Sequence, residues 1–321
     1  MDQNWENYLN ELGKNRKPFL FVFDFLLRNP LIYELPVNDS LYYKFGRLGN
    51  RTPSYTPTAN PYFYKNPVSY SRYKTGFDFV QQQLQLGNSF LVNYTLPTEV
   101  QTNYSPGEIF TRARAPYKLF LSDRFVVFSP ETFVRIDFQG SISSFPMKGT
   151  IDANIPGAEQ LILSDAKEMA EHFTMVDLIR NDLSRFARNV HVRRLRYIDK
   201  VETNQKKLLQ VSSEITGELG GNYHERIGSL LASMLPAGSV SGAPKNKTVE
   251  IILEAEQYSR GYYTGIMGIY DGKCLDSAVM IRYIEITPNG YIYKSGGGIT
   301  IHSDPEKEYR EMIDKVYVPF C

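Results

Sequence analysis

The chain has 321 residues, 42% of them hydrophobic and 22% charged, with a formal net charge of +1. That composition suits a globular protein with a large core, and a near-neutral balance offers no general attraction to nucleic acid or to an acidic membrane surface. The two cysteines, Cys274 and Cys321, are far apart. They give neither a disulfide framework nor a cysteine zinc site, and they suit a reducing compartment.

The opening MDQNWENYLNELGKNRK is polar and acidic where a signal peptide would be basic and then apolar. FLFVFDFLL is interrupted by Asp24 and is too short to span a bilayer, so a cytoplasmic protein is expected. Residues 50–70, rich in Pro, Ser, Thr and Tyr, read as a long irregular connection. The spacing of Phe77, Val80, Leu84 and Leu86 predicts a helix, GNS its end, and FLVNYTLPTEV a strand. Ser105-Pro106-Gly107-Glu108 is a helix start, with a serine cap, proline in the first helical position and glutamate three residues after the cap.

Short strands follow in YKLFLS, FVVFS, FVRIDF and SISSF, the last running up to Lys148. A long helix is expected from Ser164 to Phe186 and extended chain over 195–217. Helices are expected over 223–234 and 244–257. Three strands then follow (TGIMGIY, CLDSAVMIRYIEI, GYIYKSGGGI), and the region from Pro305 to Val316 is a final helix. Strands joined in runs by short turns favour an α+β fold with antiparallel sheets over strict βαβ alternation. No G-x-G-x-x-G joins a strand to a helix and no Walker sequence occurs, so nucleotide binding has no support.

Several constellations could carry chemistry. Glu168 and Glu171 lie three apart on the long helix, and Glu308 and Glu311 on the last. Each pair projects two carboxylates from one helix face. Two such pairs facing each other would make an oxygen-rich site for a hard divalent cation such as Mg²⁺; ordinary solvated helix faces have the same spacing. SGGGIT, residues 295–300, lets backbone approach a ligand closely and present N–H groups to an anion, or is a flexible turn. PAGSVSGAPK, residues 236–245, opens a helix and suits an anion or a plain cap. Arg282, inside an apolar strand, is costly unless paired. It is read either as a bidentate carboxylate holder or as half of an internal salt bridge. Lys148 could be a surface residue at a strand end or a nucleophile.

Taken in order, S-P-E (129–131), P-M-K-G-T (146–150), E-x-x-E with V-D-L-I-R-N-D, G-S-V-S-G-A-P-K, I-R, and G-G-G-I followed by S-D-P-E-K-E-Y-R-E resemble the chorismate-utilising enzymes over residues 73–318. The resemblance implies one large chorismate-binding domain over 1–321 with a shortened N-terminal region in 1–70. Its expected fold is two antiparallel sheets stacked as a sandwich, helices outside and a deep active-site cleft. Lys148 resembles the nucleophilic lysine of the aminodeoxychorismate synthase component I branch, where anthranilate synthase component I has alanine. Isochorismate and salicylate synthases use a lysine base on an earlier strand, where this chain has Leu91.

The chemistry implied is attack of the Lys148 amine on chorismate ring carbon 2 as the carbon 4 hydroxyl leaves. Ammonia then adds at carbon 4 and expels the lysine, giving 4-amino-4-deoxychorismate for para-aminobenzoate and folate synthesis. Glu131 matches the acid that protonates the leaving hydroxyl. A free lysine is neutral in only about one molecule in a few thousand at pH 7, so the closed site must favour the neutral amine. Gly149 leaves room beside the ring. Glu171 and Glu311, with Glu168 and Glu308, match the Mg²⁺ shell. Arg282, Tyr263, Lys315 and the amides of Gly297 and Gly298 match the holders of a carboxylate, and Ser241 a hydroxyl facing substrate. The chain carries no glutaminase motif, so a separate glutamine amidotransferase subunit (component II) is the expected ammonia source. Gln210 stands where many relatives have histidine, and nothing in 1–70 matches their tryptophan site. Anthranilate synthase component I and a non-catalytic metabolite-binding relative are the alternatives.

Overall fold

The computed structural model describes residues 4–37, 40–202 and 207–320. Its chain contacts divide into two compact units, one made of Met1–Val37, Glu131–Ser239 and Thr264–Val279, the other of Asn38–Pro130, Val240–Tyr263 and Met280–Cys321. Each unit is built on one nine-stranded sheet. Among the described residues every strand pair is antiparallel, as the short turns between strands predict. Eight α-helices occur among the described residues, and none is long and apolar enough to cross a membrane. Cys321 lies outside the described residues, and Cys274 is a free thiol.

In the first unit the strands run in the order Met147–Asp152, Lys207–Glu218, Ser141–Ser144, Thr132–Ile136, Leu275–Val279, Ile266–Tyr270, Phe19–Phe23, Leu31–Glu34, with Arg188–Glu202 on the other edge of Lys207–Glu218. FLFVF is buried at every position, which explains its unbroken apolar run in place of alternation. Gly268 on the neighbouring strand makes room for it: a Cβ there would lie 2.3 Å from the Phe21 ring. The helix expected from Ser164 to Phe186 is Ala166–Ser184, and a short helix that the sequence reading did not name, Ala158–Ser164, precedes it. Asp165 between them is extended, and its carboxylate accepts from the Glu168 N–H at 2.9 Å, capping the second helix.

In the second unit the order is Gly242–Ala243, Leu91–Thr102, Gly290–Ile299, Tyr283–Thr287, Phe125–Ser129, Tyr117–Leu121, Leu41–Phe45, Leu48–Gly49. Phe63–Pro67 pairs along Leu91–Thr102, so the irregular stretch expected over 50–70 ends in an edge strand. The helix Pro106–Arg112 starts as its cap residues predict, with Ser105 Oγ accepting from Glu108 N–H at 3.2 Å. The run CLDSAVMIRYIEI is not one strand. Leu275–Val279 belongs to the first sheet and Tyr283–Thr287 to the second, and Arg282 lies between them with φ of 57°. A residue in the left-handed region cannot continue a pleated strand.

Candidate active site

The first unit gathers Lys148, Gly149, Glu168 and Glu171. Lys148 stands on Met147–Asp152, whose pairing with Lys207–Glu218 shifts register between Lys148 and Thr150. Gly149 makes that bulge with φ of 79°, and a bulge re-aims its neighbouring side chains. Lys148 is no surface residue. Its side chain is 17% exposed, and Nζ donates to Glu171 Oε2 at 3.1 Å, Glu171 being 4% exposed. On the other side of the strand's glycine, a Cβ on Gly149 would lie 3.5 Å from Glu168 Oε2. The helical spacing of Glu168 and Glu171 therefore delivers both carboxylates to one short segment of strand.

Behind this pair sits a contact that sequence reasoning missed. His172 Nε2 is 2.6 Å from Ser213 Oγ, which also accepts from the Arg196 backbone N–H at 2.9 Å. Ser213 N–H donates to the Pro146 carbonyl at 3.0 Å. One serine thus ties the Glu171 helix to the Lys148 strand. Burial, with Arg196 and Lys148 adding repulsion, pulls the His172 pKa down to about 4 and keeps the ring neutral. Glu131 directly precedes Thr132–Ile136 and is half-buried. It lines a small recess together with Phe133, Ser144, Pro146 and Asp182.

The second unit gathers Gly297, Glu308, Glu311 and Lys315. A Cβ on Gly297 would meet Glu311 Oε1 and Lys315 Nζ at 3.5 Å and Glu308 Oε2 at 3.6 Å. Gly297 thus lies within contact distance of all three charged groups. Glu308 is buried and accepts from Ser303 Oγ at 2.8 Å. Lys315, the helix C-cap, pairs with Glu311 at 2.6 Å and donates to the Gly296 carbonyl at 2.9 Å. Gly297 and Gly298 lie opposite Tyr94 and Asn93 in the sheet. Asn93 N–H donates to the carbonyl of the buried Ser241 at 2.8 Å, so the Ser241 loop and the glycine strand share one partner strand.

Arg282 resolves differently from a strand-core salt bridge. Among the described residues it makes no ion pair. Its guanidinium lies 5.3 Å over the Tyr317 ring, and its Nε is buried without a hydrogen-bond partner. Tyr263 is buried close by, its ring 6.0 Å from that of Tyr283.

A second missed group supports this half. Arg260 and Glu256, both almost fully buried, form a two-bond pair at 2.6 and 2.9 Å. Arg260 also donates to the carbonyls of Val240 and Asn93 at 2.8 and 2.6 Å. Their four-residue separation was the available signal. Among the described residues no group of three or more His, Cys, Asp or Glu is arranged to hold a metal. Taken unit by unit, the Glu168 and Glu171 carboxylates, and those of Glu308 and Glu311, are oxygen donors of the kind Mg²⁺ takes.

Comparison with known proteins places these residues in context. The model of the chorismate binding enzyme family matches residues 36–320. An uncharacterized PabA-like protein of Haemophilus influenzae is 49% identical over 99% of this chain and 97% of its own length. Anthranilate synthase component 1 of Archaeoglobus fulgidus is 33% identical over 74% of this chain and 58% of its own. Aminodeoxychorismate synthase component 1 of Salmonella typhimurium is 32% identical over 83% and 60%. A crystal structure described as a putative 2,3-dihydroxybenzoate-specific isochorismate synthase, from Bacillus anthracis, matches with a TM-score of 0.78 at 18% identity, covering 98% of this chain and 87% of that one.

Proposed function

The chain belongs to the chorismate binding enzyme family, and we propose that within it the protein aminates chorismate to 4-amino-4-deoxychorismate through a covalent adduct on Lys148. The observation that carries this reading is the Lys148 amine, held on a bulged strand in a mostly buried position 3.1 Å from a buried carboxylate. A small residue at this point could not form the adduct.

The Lys148 nitrogen bonds to ring carbon 2, both ring double bonds shift by one position, and the carbon 4 hydroxyl leaves as water with a proton from Glu131. Lys148 loses its own proton in forming the secondary amine. Ammonia then bonds to carbon 4, both double bonds return, the carbon 2 to nitrogen bond breaks, and the proton lost by ammonia restores the departing Lys148 amine. Arg282 is the proposed holder of one chorismate carboxylate, assisted by Tyr263, Lys315 and the Gly297 and Gly298 amides, with Ser241 near the ring. Glu171 and Glu311 are the proposed direct Mg²⁺ ligands, with Glu168 and Glu308 behind them. Bound there, the cation would supply positive charge for the other carboxylate. Ammonia comes from glutamine through a partner amidotransferase subunit, and the product feeds para-aminobenzoate formation.

The test is incubation of the purified protein with chorismate, Mg²⁺ and ammonium at alkaline pH, with product identification by mass. Amination with the pyruvyl group retained supports the proposal. Anthranilate with release of pyruvate assigns the protein to the other branch found among its relatives.

A further inference from the structure

We infer that Asn93 recognises the group on ring carbon 4, its side-chain oxygen accepting a hydrogen bond from the substrate hydroxyl and then from the nitrogen that replaces it. The inference rests on the assignment of chorismate as substrate, and its observations all lie in the second unit. Asn93 sits inside Leu91–Thr102, which runs between Gly290–Ile299 and the short strand Gly242–Ala243. Its backbone is engaged on both sides. The N–H donates to the Ser241 carbonyl at 2.8 Å, and the carbonyl accepts from Arg260 Nη2 at 2.6 Å. The side chain is not engaged in this way: Asn93 Oδ1 is buried and, among the described residues, accepts no hydrogen bond. Asparagine is depleted in strands, and a buried amide oxygen without a donor is unfavourable. Thr95, two residues on and on the same face of the strand, shows that this sheet can satisfy a polar side chain. Its Oγ1 donates to Glu256 Oε1 at 2.8 Å and lies 2.7 Å from the Tyr258 hydroxyl.

The residue opposite Asn93 in the sheet is Gly298. Opposed residues share a face, so no side chain from that position fills the space beside the amide. The chemistry of the ligand follows from what Asn93 lacks. An acceptor needs a donor. The proposed carboxylate holders of this unit, Arg282, Tyr263 and the glycine amides, are donors themselves. The ionised carboxylates and the ether oxygen of chorismate only accept, and the carbon 4 hydroxyl is its one O–H donor. Ammonia brings N–H donors to the same carbon. A hydroxyl that donates to Asn93 keeps its lone pairs free for the proton it needs in order to leave as water.

The experiment is calorimetric titration of the full chain, in MgCl₂ without ammonium, with chorismate and with the analogue that lacks the carbon 4 hydroxyl, each ligand recovered and checked by mass. The native protein should bind chorismate about tenfold or more tightly than the analogue. Asn93→Leu, of similar volume, should bind the two within about twofold of each other, and its melting temperature should equal or exceed that of the native protein, because an unpaired buried oxygen is gone. Thr98→Val is the control. Thr98 Oγ1 is also buried without a partner, but it stands between Tyr293 and Pro67, and this variant should keep the native discrimination. Asn93→Ala serves if Asn93→Leu is unfolded. The same preference for chorismate in the native protein and the folded Asn93 variant overturns the inference, as does a native protein that binds both ligands equally. Either result leaves chorismate standing as the substrate. Absence of chorismate binding by the folded native protein overturns that assignment and the inference with it.

Discussion

Arg282→Lys separates substrate binding from stability at one residue. Arg282 has φ of 57°, and its buried Nε lacks a partner. Lysine also carries a Cβ, so the backbone strain is the same in both proteins. Among the described residues no acid depends on Arg282, so the substitution orphans no buried carboxylate. What it removes is the planar fork, since an ammonium cannot make two parallel bonds to one carboxylate. Loss of a buried charge-assisted contact is worth about 2–5 kcal/mol, which is roughly 30-fold or more in kcat/KM. Steady-state kinetics in chorismate should show that loss mainly as raised KM, with the melting temperature within about 2 °C of native. A stable variant with unchanged KM removes Arg282 from the site. A lowered melting temperature with normal KM makes it a structural residue.

Glu256→Gln should behave in the opposite way. It leaves Arg260 buried beside a neutral amide, at about 3–5 kcal/mol. With an unfolding entropy of about 2.1 cal/mol/K per residue, that lowers the melting temperature by roughly 4–7 °C; a scan showing no change refutes the pair's structural role. Glu171→Gln and Glu311→Gln should each strongly weaken Mg²⁺ dependence, while Glu306→Gln, at an exposed pair with Arg310, should do little. Full activity of the native protein in EDTA contradicts the metal assignment. Acid should destabilise the fold through His172 and His224, whose burial lowers both pKa values from 6.5 to about 4. Between those values the unfolded chain binds protons that the folded chain does not, so stability falls as pH drops, by about 1.4 kcal/mol per unit for each ring. Melting at pH 7 and pH 5 measures it, and His224→Gln should flatten the dependence; an equal slope in that variant contradicts the assignment.

Much of this was legible because its causes are local. The Ser105 cap, the Leu91–Thr102 strand and the two i, i+3 glutamate pairs each need only a few neighbouring residues, and all are where the sequence puts them. The misreadings have non-local causes. Phe63–Pro67 looks irregular alone and becomes a strand through its pairing with Leu91–Thr102. The run around Arg282 reads as one strand because Leu275–Val279 and the start of Tyr283–Thr287 are mostly buried, each in its own sheet; the break shows only in one backbone angle. In the site, Lys148 was nameable from its motif, but its contact spans 23 positions and depends on the bulge at Gly149. His172 and Ser213 carry no spacing signal, since their meeting depends on a helix packing against a strand.

The most direct test of the central claim is Lys148→Ala in the chorismate and ammonium reaction, with product mass and intact-protein mass followed together. A folded variant that forms no aminodeoxychorismate and no protein adduct, with or without slow anthranilate formation, is the result expected of a nucleophilic lysine. Undiminished aminodeoxychorismate turnover in that variant would contradict it.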